Sequence, residues 1–303
     1  MEGQAQRIFW EMTSLAGWEL DGEKSQPMGA RARLLGNDVE LAAHGVVWRL
    51  AKDKAQRWKE ELDTIARTGM MSGEEAAMWA GRLQWGCATV YGRAGRAYLR
   101  PLYWRRAAGG GRAPMTKRLR VVVDWWRRFL GEGHERVVPW TDPPGGPDTV
   151  VWTDAESTGH VGVVCLEVGS GYLSAVESAV PRKWRRRFVR RATQINAYET
   201  AAVLGALGSL GETLRGRRVV FFIDSTAAMG SILRGHHRRS DLNLLVGTIW
   251  RELGRLQVHA HFERVPSKSN IADGPSRGDR KLLEDLDAEW LEASWVKGAD
   301  GLW

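Results

Sequence analysis

The sequence predicts an α/β protein whose C-terminal half holds a mixed sheet flanked by helices, preceded by a mainly helical domain. Two hydrophobic stretches predict the sheet, Thr149 to Asp154 and Arg217 to Asp224. Each places β-branched or aromatic residues directly before an aspartate, as in a buried strand that ends at a polar edge. Either aspartate alone could simply cap the next turn or helix. The occurrence of both favours a functional cleft at the ends of two strands.

Helical spacing dominates the first 130 residues. Apolar residues predict one helix at 51–65, Ser72 followed by Glu75 forms a capping-box pattern that opens a second, and 119–130 predicts a third. Residues 131–148 are rich in proline and glycine and are the predicted linker. We therefore expect a helical domain at 1–130 and a second domain at 149–280, with a C-terminal tail at 281–303.

The second domain changes to the order β-β-β-α-β-α-α-β. A hairpin followed by crossover helices predicts a mixed five-stranded sheet with helices on its faces. Its strands are predicted at 149–154, 161–168, 171–179, 217–223 and 257–265. Its helices are predicted from about 195, through 227–232, and over 242–253.

Composition limits the class of protein. The chain has 303 residues and is 43% hydrophobic, enough for a sizeable core. No run approaches the roughly 20 apolar residues that span a bilayer, and the N-terminus lacks the order of a signal peptide. We expect an intracellular protein, nuclear or cytoplasmic, that is not secreted and has no membrane partner. Cys87 and Cys165 lie in apolar surroundings and are interpreted as small buried hydrophobes.

A net charge of +8 favours a polyanionic partner, because each neutralised phosphate releases counterions. Codon bias in a GC-rich genome would also inflate arginine, so charge alone leaves nucleic-acid binding open. The sixteen tryptophans are interpreted mostly as packing residues.

Four carboxylates are predicted to converge. Asp154 and Asp224 lie at strand ends, Glu199 lies one turn into a helix on its inward face, and Asp273 follows the last strand. Such a group would repel strongly unless cations lie among its members. All-oxygen ligands suit Mg²⁺ or Mn²⁺ rather than zinc, and two ions roughly 4 Å apart suit in-line displacement at phosphorus. Glu156 is a competing ligand, but the strand is expected to end before it.

Four motifs occur in order: Thr153-Asp154, Gln194 to Glu199, Phe222 to Ala228, and Val265 to Asp273. Together they make residues 148–280 resemble the ribonuclease H domain of retroelement reverse transcriptases. The resemblance implies endonucleolytic hydrolysis of the RNA strand of RNA–DNA hybrids with two Mg²⁺ ions, or Mn²⁺. It also implies a role for each acid: Asp154 bridges both metals, Glu199 and Asp224 hold the metal on the leaving-group side, and Asp273 holds the metal that activates water.

The N-terminal part resembles the thumb and connection region that follows the polymerase palm of reverse transcriptases. It is most similar to that region in retroelements of the tyrosine-recombinase type. The residues that carry this are Gly17-Trp18, Lys24, Leu35-Gly36, Gly81-Arg82-Leu83, Gly92-Arg93 and Leu99 to Tyr103. No Tyr-x-Asp-Asp motif occurs, so polymerase catalysis is not assigned. The resemblance implies upstream polymerase domains in a natural polyprotein, or a domesticated remnant.

Two departures from the family bear on turnover rather than on the metal site. Many ribonucleases H carry a histidine in the loop before the last aspartate, and residues 266–269 contain none. Gly274-Pro275 also limits the final helix to about one turn.

A basic segment, residues 182–191, is the candidate phosphate-binding surface. Trp184 and Phe188 interrupt its cations, so it could track phosphates or could be a solvated edge that two aromatics anchor. Its cations are Arg182, Lys183, Arg185, Arg186, Arg187, Arg190 and Arg191. Asn196, Ser225 and Asn270 are further candidates for nucleic-acid contact. Residues 236–239 are interpreted as a basic loop, and Ser240 or Asp241 as the cap of the next helix.

Two alternative functions remain from the sequence. One is a non-catalytic remnant that binds hybrid or RNA, against which the intact acidic quartet argues. The other is a DNA exonuclease or integrase on the same fold, against which the motifs Val-Pro-Ser and Asn-Ile-Ala-Asp argue.

Overall fold

A computed structural model of the chain describes residues 2–17, 29–140 and 145–296. Trp18 and Lys24, residues 141–144 of the predicted linker and residues 297–303 of the predicted tail lie outside the described residues. The chain forms two compact units, Met1–Thr64 with Trp126–Pro143 and Ile65–Trp125 with Pro144–Trp303. The sequence-based domain bounds remain a prediction.

The part before residue 140 contains five α-helices and six strands within the described residues. The helices are α1 (Glu2–Leu15), α2 (Lys52–Thr68), α3 (Gly73–Gly86), α4 (Arg100–Ala108) and α5 (Lys117–Gly131). The strands are β1 (Arg31–Leu34), β2 (Asn37–Ala42), β3 (Gly45–Leu50), β4 (Met70–Met71), β5 (Ala113–Pro114) and β6 (Glu135–Pro139).

The first unit contains a sheet that the sequence did not predict. Its strand order is β1-β2-β3-β6, and each neighbouring pair is antiparallel. Three of the strands fall at residues 31–50, and β6 falls within the predicted linker. Val39, Val47 and Leu50 are buried, so one face of the sheet supplies apolar core. The remaining strand residues are largely polar or exposed, which is why no strong alternation marked them.

The capping box predicted at the start of α3 is confirmed. The Ser72 amide donates to Glu75 Oε2 over 2.7 Å, and the Glu75 amide donates to Ser72 Oγ over 3.0 Å. Arg112 holds the same Glu75 carboxylate through an ion pair, which lowers the pKa of Glu75. The helix then buries Ala76, Ala80 and other residues of its predicted apolar face.

The second unit contains a six-stranded mixed sheet. Its strands are β7 (Thr149–Ala155), β8 (His160–Glu167), β9 (Leu173–Ala179), β10 (Arg218–Ile223), β11 (His259–Arg264) and β12 (Glu289–Trp290). Their order in the sheet is β11-β10-β7-β8-β9-β12. The hairpin strands β7, β8 and β9 are antiparallel, whereas β10 is parallel to both β7 and β11, and β12 is parallel to β9. The predicted fold class is therefore confirmed, and the two-residue β12 adds a strand at one edge.

Helices cover both faces of this sheet. The helices are α6 (Arg182–Arg185), α7 (Ile195–Leu210), α8 (Thr226–Arg234), α9 (Ser240–Arg255), α10 (Asp273–Ser276) and α11 (Lys281–Asp285). One core joins β7 and β10 to α7, α8 and α9, and a smaller core joins Val164 and Ala175 to Ala272 and Leu283. Among the described residues, no helix combines the length and the apolar character needed to cross a membrane.

The cysteines and the central helix fit their predicted places in the core. Cys87 and Cys165 are free and buried, and burial raises the pKa of their thiols to about 12 and about 11. Nearly all of α7 is buried, and residues 294–296 pack closely against it at Gly205 and Gly208. There Ser209 Oγ donates to the Ser294 carbonyl over 3.1 Å, and a Cβ on Gly208 would collide with that carbonyl.

Two helical glycines test this packing. Gly254 of α9 is exposed with nothing near its Cβ position, so Gly254→Ala should raise the free energy of unfolding by about 0.5–1 kcal/mol. Gly208→Ala should lower it by about 1–3 kcal/mol, because the new methyl must displace backbone at residues 294–296. Urea unfolding measures both. Equal stabilisation by the two substitutions would contradict the packing of residues 294–296 on α7.

Candidate active site

Three acidic side chains meet at one edge of the mixed sheet. Asp154 is the penultimate residue of β7, Asp224 directly follows β10, and Glu199 lies in the second turn of α7. Since β7 and β10 are neighbouring parallel strands, their carboxyl ends meet at the same edge. Ligand oxygens of the three carboxylates all lie within 4.8 Å of one another. We call these three residues the acidic group.

Burial makes the acidic group electrostatically unfavourable when all three members are charged. Asp154 and Glu199 are each only 4% exposed. Burial, followed by the charges of Asp154 and Asp224, raises the pKa of Glu199 to about 9. Burial also raises the pKa of Asp154, against the hydrogen bond from Ser276. One buried oxygen of Glu199, Oε2, has no hydrogen-bond partner among the described residues.

Two residues of the stretch 270–276 hold the Asp154 carboxylate in place. The Ser276 hydroxyl donates to Asp154 Oδ2, and the Asn270 amide donates to Asp154 Oδ1 over 3.4 Å and to the Thr153 carbonyl over 3.1 Å. Gly162 of β8 lies opposite Asp154 in the sheet, and a Cβ there would collide with the carbonyl of Ala272. The glycine therefore lets α10 approach the strand closely enough for Ser276 to reach Asp154.

Neither Ser276 nor Gly162 was among the residues predicted from the sequence. A glycine inside a strand is a signal of close backbone approach, although it does not say what approaches. Ser276 carried no signal beyond its position three residues after Asp273.

Asp273 and Glu156 lie outside the acidic group. Asp273 begins α10 and forms an ion pair with Arg277 over 2.8 Å. Its charge contributes to raising the pKa of Asp154, so it lies on the same side of the site, yet it is not one of the three carboxylates in mutual reach. Glu156 lies just beyond β7 and accepts a hydrogen bond from Thr158 over 2.7 Å. The expected preference for Asp154 over Glu156 agrees with this geometry.

The acidic group fits a hard divalent cation. Its donors are all carboxylate oxygens, which suit Mg²⁺ or Mn²⁺, and it contains no histidine or cysteine of the kind that zinc prefers. The unpartnered Glu199 oxygen and the raised pKa values are the features that a cation would relieve. These three residues could hold one ion; the identity of that ion and the second ion implied by Asp273 stay predictions.

The basic segment is anchored by its aromatics and presents part of its charge to solvent. Trp184 and Phe188 are buried in the main core. Arg185 is half-buried and donates to the Thr158 carbonyl over 3.2 Å. The exposed members of the basic segment are Arg182, Lys183, Arg186, Arg187 and Arg190.

Arg191 ends the segment in a buried ion pair. Its guanidinium donates to both carboxylate oxygens of Asp241, and the Val189 amide donates to Asp241 Oδ2 over 2.8 Å. The prediction that Ser240 or Asp241 caps α9 is therefore wrong: Arg239 occupies the cap position with no side-chain hydrogen bond. Asp241 instead pairs with Arg191, which offsets the free-energy cost of burying the Asp241 charge.

The remaining candidates for nucleic-acid contact have different surroundings. Asn196 is exposed in the first turn of α7. Ser225 caps α8, and its hydroxyl oxygen accepts from the Ala228 amide over 3.3 Å. Asn270 is buried and its amide is used within the site, which argues against the predicted contact with nucleic acid and indicates a positioning role for Asp154.

Comparison with known proteins adds a distant likeness to solved structures. No protein-family model matches the chain, and no curated protein matches its sequence. Among solved structures it is similar to RNase H1 from the halophilic archaeon Halobacterium salinarum NRC-1. The two share 21% sequence identity with a TM-score of 0.34, and the match covers 45% of this chain and 98% of that one. At this distance the likeness carries no functional argument, and the fold class rests on the sheet topology.

The acidic group should make stability depend on pH in metal-free protein. The pKa of Glu199 is about 9 when folded and 4.5 ordinarily, so the folded state holds a proton that the unfolded state has lost between those values. The free energy of unfolding should therefore fall as pH rises from about 5 to 9, by at most about 1.4 kcal/mol per pH unit. Urea unfolding in EDTA across this range measures the slope.

Glu199→Gln should flatten that slope, because the amide does not titrate. Glu284→Gln, a change at an exposed carboxylate of α11, is the matched control and should leave the slope unchanged. A parental slope retained in Glu199→Gln would show that Glu199 does not hold the proton.

Proposed function

We propose that this chain hydrolyses the RNA strand of RNA–DNA hybrids endonucleolytically, in a reaction that depends on divalent metal. The observation that carries the proposal is the acidic group: Asp154, Glu199 and Asp224 come from three separate elements and meet at the carboxyl ends of parallel strands. The four motifs that resemble a ribonuclease H domain supply the reaction class. The basic segment supplies a surface for the phosphates of the hybrid.

In this proposal Asp154, Glu199 and Asp224 hold Mg²⁺, with Mn²⁺ as a substitute and Asp273 contributing to a second ion. When bound, the cations would neutralise charge on the scissile phosphate and lower the pKa of a water molecule. Ser276 and Asn270 hold Asp154 in place before metal binds, so little reorganisation is required. Because the pKa of Glu199 is about 9, metal binding at neutral pH should release a proton.

Selection of the RNA strand would come from contacts to 2′-hydroxyl groups and from the groove shape of the hybrid. Asn196 is placed for such a contact, because it is exposed and lies in the turn of α7 that precedes Glu199. We further propose that the chain is the C-terminal part of a retroelement reverse transcriptase, with polymerase domains upstream in the natural polyprotein. Sequence motifs alone support this context.

Asp224→Asn tests the metal-dependent reaction. The substitution preserves size at the strand end but removes an anionic ligand, so cleavage of a labelled hybrid in Mg²⁺ should fall by about three orders of magnitude or more. Hybrid binding should stay equal or tighten, because the cleft repels phosphate less. Glu156→Gln removes a carboxylate just outside the acidic group and should cleave like the parent.

Duplex RNA and duplex DNA serve as substrate controls in that assay. Equal cleavage by Asp224→Asn and the parent would defeat the catalytic assignment. Cleavage of duplex DNA in preference to hybrid would favour the exonuclease or integrase alternative, and binding without cleavage by the parent would favour the non-catalytic remnant.

The basic segment generates a separate expectation for binding. Replacing Arg182, Arg186 and Arg190 together with Ala should weaken hybrid binding similarly for all sequences. The slope of log affinity against log salt should flatten by about one unit per lost phosphate contact. We choose these three because they are exposed, whereas Arg185 and Arg191 are held by internal partners.

The matched control removes Lys52, Arg57 and Arg136, which are equally exposed but belong to the first unit. It loses the same net charge and should leave the salt slope near that of the parent. Identical slopes in the two triple variants would mean that the basic segment is a solvated edge.

A further inference from the structure

A second candidate binding site lies in the same unit as the acidic group. It is a cavity of about 490 Å³ that is bounded by the 3₁₀ turn Arg96–Leu99 with α4, by the start of α5, and by the loop from Arg238 into α9. Neither the acidic group nor Asp273 lines it. The volume falls within the range of roughly 300–1,000 Å³ that small-ligand sites occupy.

The rim of the cavity is strongly cationic. Its only lining carboxylate among the described residues is Asp241, which is already neutralised by Arg191. Among those residues, no acidic side chain forms an ion pair with Arg100, Lys117, Arg118 or Arg238. The cations are Arg100, Lys117, Arg118, Arg187 and Arg238. A ligand that complements the cavity must therefore be an anion.

Trp104 organises two of these cations. The side chain is 43% exposed, unlike most tryptophans of the chain, and so departs from the predicted packing role. The Arg100 guanidinium lies 5.3 Å and the Arg118 guanidinium 5.8 Å from the centroid of its ring. Arg100 is further held by donating to the His237 carbonyl over 3.1 Å. Stacked guanidinium groups keep in-plane N–H donors available, which is a geometry that suits phosphate.

Apolar side chains form the rest of the lining. Pro101, Val121 and Leu244 are half-buried, and they offer a surface for an uncharged ring or sugar below the cationic rim. The cavity therefore combines donors for phosphate with an apolar surface for a base. A duplex is far too large to enter 490 Å³, and its bases are stacked and paired. An unpaired nucleotide has both parts accessible.

We infer that this cavity binds a nucleotide of a single-stranded nucleic acid, with phosphate held by Arg100, Lys117 and Arg118. Arg187 lines the cavity and also belongs to the basic segment, so one continuous cationic surface leads into it. Binding here is independent of hydrolysis, because the acidic group does not contribute.

The test is fluorescence anisotropy of a labelled twelve-residue oligothymidylate in EDTA, titrated with the full chain over a series of salt concentrations. Lys117→Ala with Arg118→Ala should flatten the salt slope by about 0.7 per lost phosphate contact. Trp104→Ala should weaken binding about threefold to tenfold, because both stacked guanidinium groups lose their support. The Lys117 and Arg118 side chains are exposed, so the double variant is expected to fold.

Arg280→Ala is the matched control. Arg280 stacks on Trp290 at 4.4 Å from the ring centroid, in the same unit but outside the cavity. Arg280→Ala also loses an arginine that lies over a tryptophan ring, in this case one paired with Glu177, and should bind oligothymidylate as the parent does. An equal loss in Arg280→Ala and Arg118→Ala would overturn the assignment to the cavity.

Two competitors identify the ligand. Thymidine monophosphate should compete at least a hundredfold more weakly than the oligonucleotide. Equal potency would overturn the strand assignment in favour of a free nucleotide. Polyglutamate that displaces the oligonucleotide at equal charge concentration, with no effect of Trp104→Ala, would reduce the cavity to a non-specific cationic face. Because EDTA and single-stranded DNA are used, failure of hybrid cleavage leaves this result unaffected.

Discussion

Repulsion among three neighbouring carboxylates, of which Asp154 and Glu199 are buried and Asp224 is half-buried, is the constraint around which the second unit is built. Asp154, Glu199 and Asp224 would separate in a flexible chain, because like charges in a poorly solvated site repel strongly. The fold opposes this with parallel pairing of β7 and β10, in which Thr153 lies opposite Ile223 just before the two aspartates. It also buries α7 on nearly all sides, so Glu199 cannot swing into water. The repulsion is then relieved by a proton on Glu199 or by a cation.

The two faces of the sheet contribute differently to this site. On one face α7 supplies the Glu199 carboxylate, whereas on the other α10 supplies Ser276, which only orients Asp154. Asp154 thus lies where both layers meet, and its position depends on both. Gly162 is the strand residue that permits the second contact. A single turn of α10 is enough to place the Ser276 hydroxyl against Asp154, so a longer helix is not needed for this contact.

The sequence predicted the sheet of the second unit well because its strands are nearly continuous hydrophobic runs with acids at their ends. The same reasoning failed for β1, β2 and β3, whose residues are mixed and whose sheet buries one face only. Ser276, Gly162 and the Asp241–Arg191 ion pair depend on segments that meet only in the folded chain. The cavity was still harder to predict from the sequence, because its lining residues Trp104 and Arg238 are far apart in the chain.

In the second unit the carboxylates of the acidic group and the cationic surfaces are formed by different residues, and electrostatics explains why this is required. A cleft of carboxylates repels the phosphates of any nucleic acid until its charge is neutralised, so it cannot by itself recruit a polyanion. In our proposal the basic segment and the cationic cavity recruit it, because both carry exposed arginine and lysine side chains. Arg187 belongs to both of these surfaces, and neither surface includes a member of the acidic group. In our proposal, binding of nucleic acid therefore varies with salt, whereas hydrolysis varies with pH and with divalent metal.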